Sequence, residues 1–125
     1  MRILLTLLLL LTSANCFADP IKVAVFDGEG VGKSCTNLIT ALTKSGKADF
    51  KLTRITTRDI LNGGLSQVDV LIHSGGSGSK QGNDLGEEGR KIVRQYVDQG
   101  GGFLGVCAGA YLATNDYSWS LNLID

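Results

Sequence analysis

The chain has 125 residues, with 12 Lys or Arg against 12 Asp or Glu, so its formal net charge is zero. With no basic excess and no interleaving of aromatic with basic residues, the composition argues against nucleic acid and against anionic membrane surfaces as partners. The length suits one domain, large enough to bury a core but at the small end for a doubly wound sheet.

Arg2 is followed by an almost unbroken apolar run, Ile3 to Leu11, and then by Thr12, Ser13 and Ala14. That order reads as a secretory signal peptide, and the run is well short of the roughly 20 residues a spanning helix needs. Cys16, Phe17 and Ala18 precede Asp19 and suit cleavage after Ala18. Residues 1–18 are therefore assigned to the leader and 19–125 to the domain, exported to a periplasm or the medium with no membrane anchor. Acylation of Cys16 is the alternative, and the bulky polar Asn15 before it argues against that. Processing removes Arg2 and no acid, leaving 11 basic and 12 acidic side chains. Cys35 and Cys107 remain, in a compartment where disulfides form.

The run Ile21 to Phe26 is short, apolar and β-rich, and it stops at Asp27-Gly28-Glu29-Gly30, so it reads as a buried strand entering a loop. Ser34 is placed as the N-cap of a helix in which Leu38, Ile39 and Leu42 recur, with Lys44 and Gly46 closing it. Phe50 to Ile55 is a second strand. Thr57 is placed as the cap of a short turn through Ile60 and Leu61, ended by Asn62-Gly63-Gly64. Val68 to Ile72 is a strand covered on both faces, running into His73-Ser74-Gly75-Gly76 and a loop of Gly, Ser, Lys and Gln. Asp84 with Glu87 resembles a capping box, and Leu85, Ile92, Val93, Tyr96 and Val97 form one apolar stripe ending at Gly100. Gly101 to Val106 is a further strand, and Cys107 to Ala113 turns directly into helix. Tyr117, Trp119, Leu121 and Leu123 alternate with polar residues, the period of a half-buried strand.

Strands alternating with helices predict the α/β class, with a mostly parallel sheet in a three-layer, flavodoxin-like sandwich. Ligands of such sheets bind at the carboxyl ends of the strands, which here are Asp27 to Gly32, His73 to Ser77, and Cys107. These segments should converge on one rim.

Gly105-Val106-Cys107-Ala108-Gly109 is the cysteine version of the G-x-S-x-G nucleophile elbow, set between a strand and a helix. Small neighbours are needed because the nucleophile sits on a strained turn. A helix N-terminus favours the thiolate by only about 0.3–1 kcal/mol, so full activation calls for a base or a cationic neighbour. The amide of Ala108 would supply half of an oxyanion hole, with Gly75 and Gly76 as the other half.

The stretch Gly100 to Ala113, and above all Cys107-Ala108-Gly109-Ala110-Tyr111 after a Gly-rich strand, resembles the elbow of the class I glutamine amidotransferase-like superfamily. Within it the nearest resemblance is to the family named for the N-terminal domain of biotin-protein ligase. The strand entering Asp27-Gly28, the Gly75-Gly76 loop and the helix ending at Gly100 extend the resemblance over most of residues 21–125. It implies Cys107 as the nucleophile, and Gly75, Gly76 and Ala108 as oxyanion donors. It implies nothing about biotin, whose ligation belongs to a separate catalytic domain in the family's namesake. Two departures stand out: Ser74 replaces the usual Pro before the paired glycines, and the expected His and acid beyond the elbow do not occur by Asp125. Either the 125 residues are a truncated form of a longer protein or the site is degenerate, and the bare sheet edge favours truncation.

Each residue also has a plainer reading. Cys107 can serve as a small buried residue. A Cys35–Cys107 disulfide is disfavoured, because the two positions lie roughly 10 Å apart across the strands, beyond the roughly 7 Å limit. Cys35 is assigned to helix packing. His73, the only histidine, is expected to orient the glycine loop rather than to serve as base. In some thiol hydrolases of the broader superfamily an acid at such a position contacts the nucleophile, so Asp27 and Glu29 are candidates for that contact, or else solvated loop acids. Asp27 to Ser34 invites a nucleotide-loop reading, but a P-loop wants Gly at position 27 and a dinucleotide loop wants Gly at position 33. A small anion at that helix start is the better fit. No metal site and no cofactor is expected, since one His and two separated cysteines do not make a zinc site. Two functions follow: thiol-dependent amide hydrolysis or acyl transfer on a small-molecule or peptide amide, or a binding module that keeps the fold without catalysis.

Overall fold

The computed structural model describes residues 18–46 and 49–125; the leader assigned above lies almost wholly outside them. Its elements are β1 (Ile21–Phe26), α1 (Ser34–Ser45), β2 (Phe50–Ile55), α2 (Thr57–Leu61), β3 (Val70–His73), α3 (Gly78–Asp98), β4 (Gly102–Gly105) and α4 (Ala108–Ala113). The four strands form one sheet in the order β2-β1-β3-β4, every pair parallel. The fold is α/β and consistent with a flavodoxin-like three-layer sandwich.

Parallel pairing forces a crossover after each strand, and right-handed crossovers put helices on opposite faces when the chain reverses its direction across the sheet. The chain moves one way from β1 to β2 and the other way from β2 through β3 to β4. Accordingly α1 packs on β1, while α3 packs against both α2 and α4. The reversal opens a crevice between the carboxyl ends of β1 and β3, where ligands of such sheets bind.

The central strands are the most apolar ones. Val23 to Phe26 are all buried, as are Leu71 and Ile72, and the core continues through Cys35, Ile55, Ile60, Leu85, Val93, Leu112 and Leu121. β2 and β4 are the edges. β2 alternates exposed Lys51 and Thr53 with partly buried Phe50 and Leu52.

Four local expectations need correction. Ser34 is the first residue of α1 rather than its cap, the cap position falls on Lys33, and no side-chain capping bond forms. In α2 the capping residue is Thr56, one position earlier than expected, in a reciprocal box with Asp59. That box holds the Asp59 carboxyl below its ordinary range, because the Thr56 amide and hydroxyl both donate to it. The third helix begins at Gly78 under a Ser77 cap rather than at Asp84, and it kinks at Gly86, whose φ is 65°. Asp84 instead accepts from the Glu29 amide and the Thr57 hydroxyl, tying the loop after β1 and the start of α2 to the helix.

The fourth correction concerns Tyr117 to Leu123, which form no strand. The segment folds back on α4: the amide of Leu121 donates to the Leu112 carbonyl at 2.7 Å, and those of Leu123 and Ile124 to Ala113. These carbonyls at the end of α4 need partners, and the returning chain supplies them. The alternation remains as burial, with Leu121 inside, Trp119 and Leu123 packed on the core, and Tyr117 exposed.

Candidate functional site

Cys107 lies at the turn from β4 into α4 with φ 55° and ψ −112°. A side chain in that region is strained by about 1–3 kcal/mol, so the surroundings must hold it there. Two glycines do so. A Cβ on Gly105 would come within 2.5 Å of the Gly109 carbonyl oxygen, and one on Gly109 would overlap the carbonyl oxygen of His73. The residues flanking the turn are thus small for a contact reason, and α4 is pressed against the end of β3.

The thiol is exposed and free, and Cys35 is free and buried, so the pair is not joined. Burial pushes the Cys35 thiol up, aided by Asp27 and opposed by Arg54. Cys35 belongs to the core, as expected.

The glycine loop after β3 approaches the thiol closely. A Cβ on Gly75 would sit 3.6 Å from the Cys107 Cβ and 4.0 Å from its sulfur, with the Ser34 hydroxyl on its other side at 3.4 Å. Gly76 has φ 123° and packs against the Gly30 carbonyl, leaving no room for a side chain. Among the described residues no backbone acceptor takes up the amides of Gly75, Gly76 or Ala108. Gly76, Cys107 and Ala108 line a cleft of about 350 Å³ whose other wall carries Tyr111, Tyr117 and Trp119. This aromatic wall was not anticipated as part of a site, although three aromatic residues within nine positions, just past the Cys107 turn, were visible.

His73 does not reach this cleft's lining; it is wholly buried. Its ring stacks on Phe26 at 4.4 Å and on Phe103 at 5.6 Å between centroids. Nδ1 lies 2.9 Å from the Gln81 Oε1, and the Gln81 Nε2 donates to the Ser74 carbonyl at 3.0 Å. Because that carbonyl only accepts, the amide nitrogen must face it, so Oε1 faces the ring and Nδ1 carries the hydrogen. Burial lowers the imidazole to about 4, outweighing the Gln81 bond, and Nε2 has no partner. His73 is a neutral strut tied through Gln81 to the residue before the glycine loop.

Asp27 and Glu29 lie on the neighbouring pocket, about 670 Å³, at the crevice between β1 and β3. Lys33 and Lys80 also line it, and Gly76 is common to it and the thiol cleft. The Asp27 carboxylate turns away toward β2 and accepts from Arg54 at 3.0 Å. Arg54 also donates to Thr36 and to the Cys35 sulfur, a cluster that the sequence reading did not single out. The loops after β1, β3 and β4 thus meet at one rim. No group of three His, Cys, Asp or Glu side chains that could hold a metal occurs among the described residues, and no helix among them is long and apolar enough to cross a membrane.

Comparison with curated proteins returned no match. The family model described as biotin-protein ligase, N terminal, matches residues 21–123, from the first residue of β1 to the tail that returns on α4. That span takes in all four strands, the glycine loop and the Cys107 turn, a layout consistent with the class I glutamine amidotransferase-like superfamily, and the chain belongs to the biotin-protein ligase N-terminal family.

Proposed function

We propose that this is an exported domain in which Cys107 is the nucleophile of a thiol-dependent amide hydrolysis or acyl transfer. The observation that carries the reading is the backbone of Cys107: a strained, non-glycine turn that holds a thiol out toward a cleft. A cysteine kept for packing would be buried in a relaxed conformation, as Cys35 is.

In the proposed step the sulfur attacks the amide carbonyl carbon, forming a C–S bond while the carbonyl electrons move onto oxygen. The amides of Gly75, Gly76 and Ala108 would receive that oxyanion. Collapse breaks the C–N bond and expels the amine, which takes up the proton the thiol gave up, and the thioester then passes its acyl group to water or to a second amine, whose proton restores the thiol. Asp27 and Glu29, on the adjoining pocket, are suited to contacts with a substrate rather than with the sulfur. The reading needs no cofactor or metal.

A binding module that keeps the fold without turnover is the second reading, favoured by His73. Its ring is buried and bonded to Gln81, so this histidine supplies no imidazole to Cys107. The pH dependence of Cys107 alkylation in a Cys35→Ser background separates the two. An apparent pKa below the roughly 8.5 of free cysteine supports a poised thiol, and ordinary behaviour in folded protein favours the binding module. Export rests on the sequence of residues 1–18, and the N-terminal residue of protein recovered outside the cytoplasm tests it: Asp19 is expected.

A further inference from the structure

We infer that the cleft beside Cys107 is built for an uncharged amide bearing a flat aromatic ring, with Tyr111, Tyr117 and Trp119 as the surface that grips it. The inference rests on the reading of Cys107 as the site's reacting group, and it names the substrate class for that site.

Charge is the first argument. No ionisable side chain other than the cysteine and the two tyrosine hydroxyls lines the cleft, whereas the pocket across Gly76 presents Asp27, Glu29, Lys33 and Lys80. A charged group in the cleft would give up water without gaining a partner, while the neighbouring pocket offers partners of both signs.

The wall itself is the second. Aromatic residues are 6% of the chain, yet three of the eight residues lining this cleft are aromatic. Tyr111 is 61% exposed and Tyr117 46% exposed, so packing of the core does not explain them. Tyr111 stands in the first turn of α4 and lines the cleft together with Cys107, where it flanks whatever is held at the sulfur. Tyr117 and Trp119 stack nearly parallel, 4.4 Å between centroids and 5° between planes. A flat ring adds to such a stack more readily than an aliphatic chain does.

Preorganisation is the third argument. The amide of Tyr117 donates to the Ser120 hydroxyl at 3.2 Å and the amide of Ser120 to the Tyr117 carbonyl at 3.0 Å, closing a turn around Trp119. The indole lies on Gly78, where a Cβ would come within 3.0 Å of it, and the Trp119 backbone lies on Gly82. The wall is held before any ligand arrives, which lowers the ordering cost of binding.

Trp119 is the chain's only tryptophan, so its emission reports on this cleft alone. The test titrates N-benzylacetamide, acetamide and N-(4-carboxybenzyl)acetamide into the folded domain and follows tryptophan fluorescence. Saturable change with N-benzylacetamide, binding at least tenfold tighter than acetamide or the carboxylate analogue, is expected. Tyr111→Ala and Tyr117→Ala should each weaken it threefold or more; both side chains are exposed, so these variants fold where Trp119→Ala need not. Lys51→Ala, exposed on β2 and outside the cleft, should leave it unchanged. Equal affinity for the three probes, or indifference to both tyrosine variants, overturns the inference. Labelling of Cys107 by iodoacetamide, run in parallel, bears on the thiol reading alone, so the two can fail separately.

Discussion

Lowering the pH should destabilise the domain through one side chain. His73 is wholly buried, and its imidazole is lowered from the ordinary 6.5 to about 4. Between those values the unfolded chain binds a proton that the folded one refuses, so stability is full above about pH 6.5 and is lost as pH falls toward 4. At about 1.36 kcal/mol per pH unit the whole interval is worth about 3 kcal/mol, of which about 2 is lost by pH 5. Asp59 does not interfere: its carboxyl is held below 3.8, so its contribution is present above that value and lost only as pH falls further. Urea unfolding at pH 7, 6 and 5 reads the effect, with His73→Leu as the control. The variant leaves Gln81 without its partner and should be weaker at pH 7 by about 1–3 kcal/mol, yet nearly flat from pH 7 to 5. A flat wild type, or a variant that falls as steeply, would refute the assignment.

The Cys107 turn lends itself to two opposed substitutions. Gly109→Ala drives a Cβ into the His73 carbonyl oxygen and should cost about 1–3 kcal/mol in chemical denaturation. Cys107→Gly relieves the φ of 55° and should instead stabilise by about 1 kcal/mol while abolishing labelling of the site. In the protein beginning at Asp19, mass spectrometry after brief alkylation should find one label, on Cys107, with a second on Cys35 only in denaturant; labelling of Cys35 in the folded protein would contradict its burial. Thr56→Ala should raise the pKa of Asp59 in part in an NMR titration, since it removes the hydroxyl that donates to the carboxylate and keeps the amide that does so too.

What the sequence made legible was whatever local chemistry decides. β1 and β2 were read at the residues observed, because an apolar run ending at Asp27-Gly28 and a segment alternating apolar with polar residues up to Thr56-Thr57 leave little latitude. The C-terminus of α1 was likewise marked by Gly46, whose φ is 57°. Cys107 and Ala108 were named from a motif whose spacing reflects contacts now visible between Gly105, Gly109 and His73, and Gly75 and Gly76 from the loop that ends the preceding strand and from the family resemblance. The first turns of α3 were hidden, because Gly78, Ser79, Lys80, Gln81 and Gly82 have the composition of a loop. They are helical because Trp119, nearly 40 positions later, packs where any larger residue would stand. The alternation from Tyr117 to Leu123 misled for a related reason: burial of every second residue follows from a segment lying along α4 as readily as from a strand. The aromatic wall therefore came into view only with the packing of the tail.

α4 has six residues, too few for a helix to persist by its own hydrogen bonds. Its last carbonyls are splinted by the amides of Leu121, Leu123 and Ile124, and the segment that splints it also carries Tyr117 and Trp119. Thiol and aromatic wall consequently share one brace. If that brace loosens, the sulfur loses its aim and the wall its position in a single event, and the amides of Leu121 and Leu123 should exchange with deuterium in step with those of α4. The placement of Cys107 thus depends on residues that do not line the cleft, and a substitution at Leu121 would shift the thiol while leaving every group that lines the cleft intact.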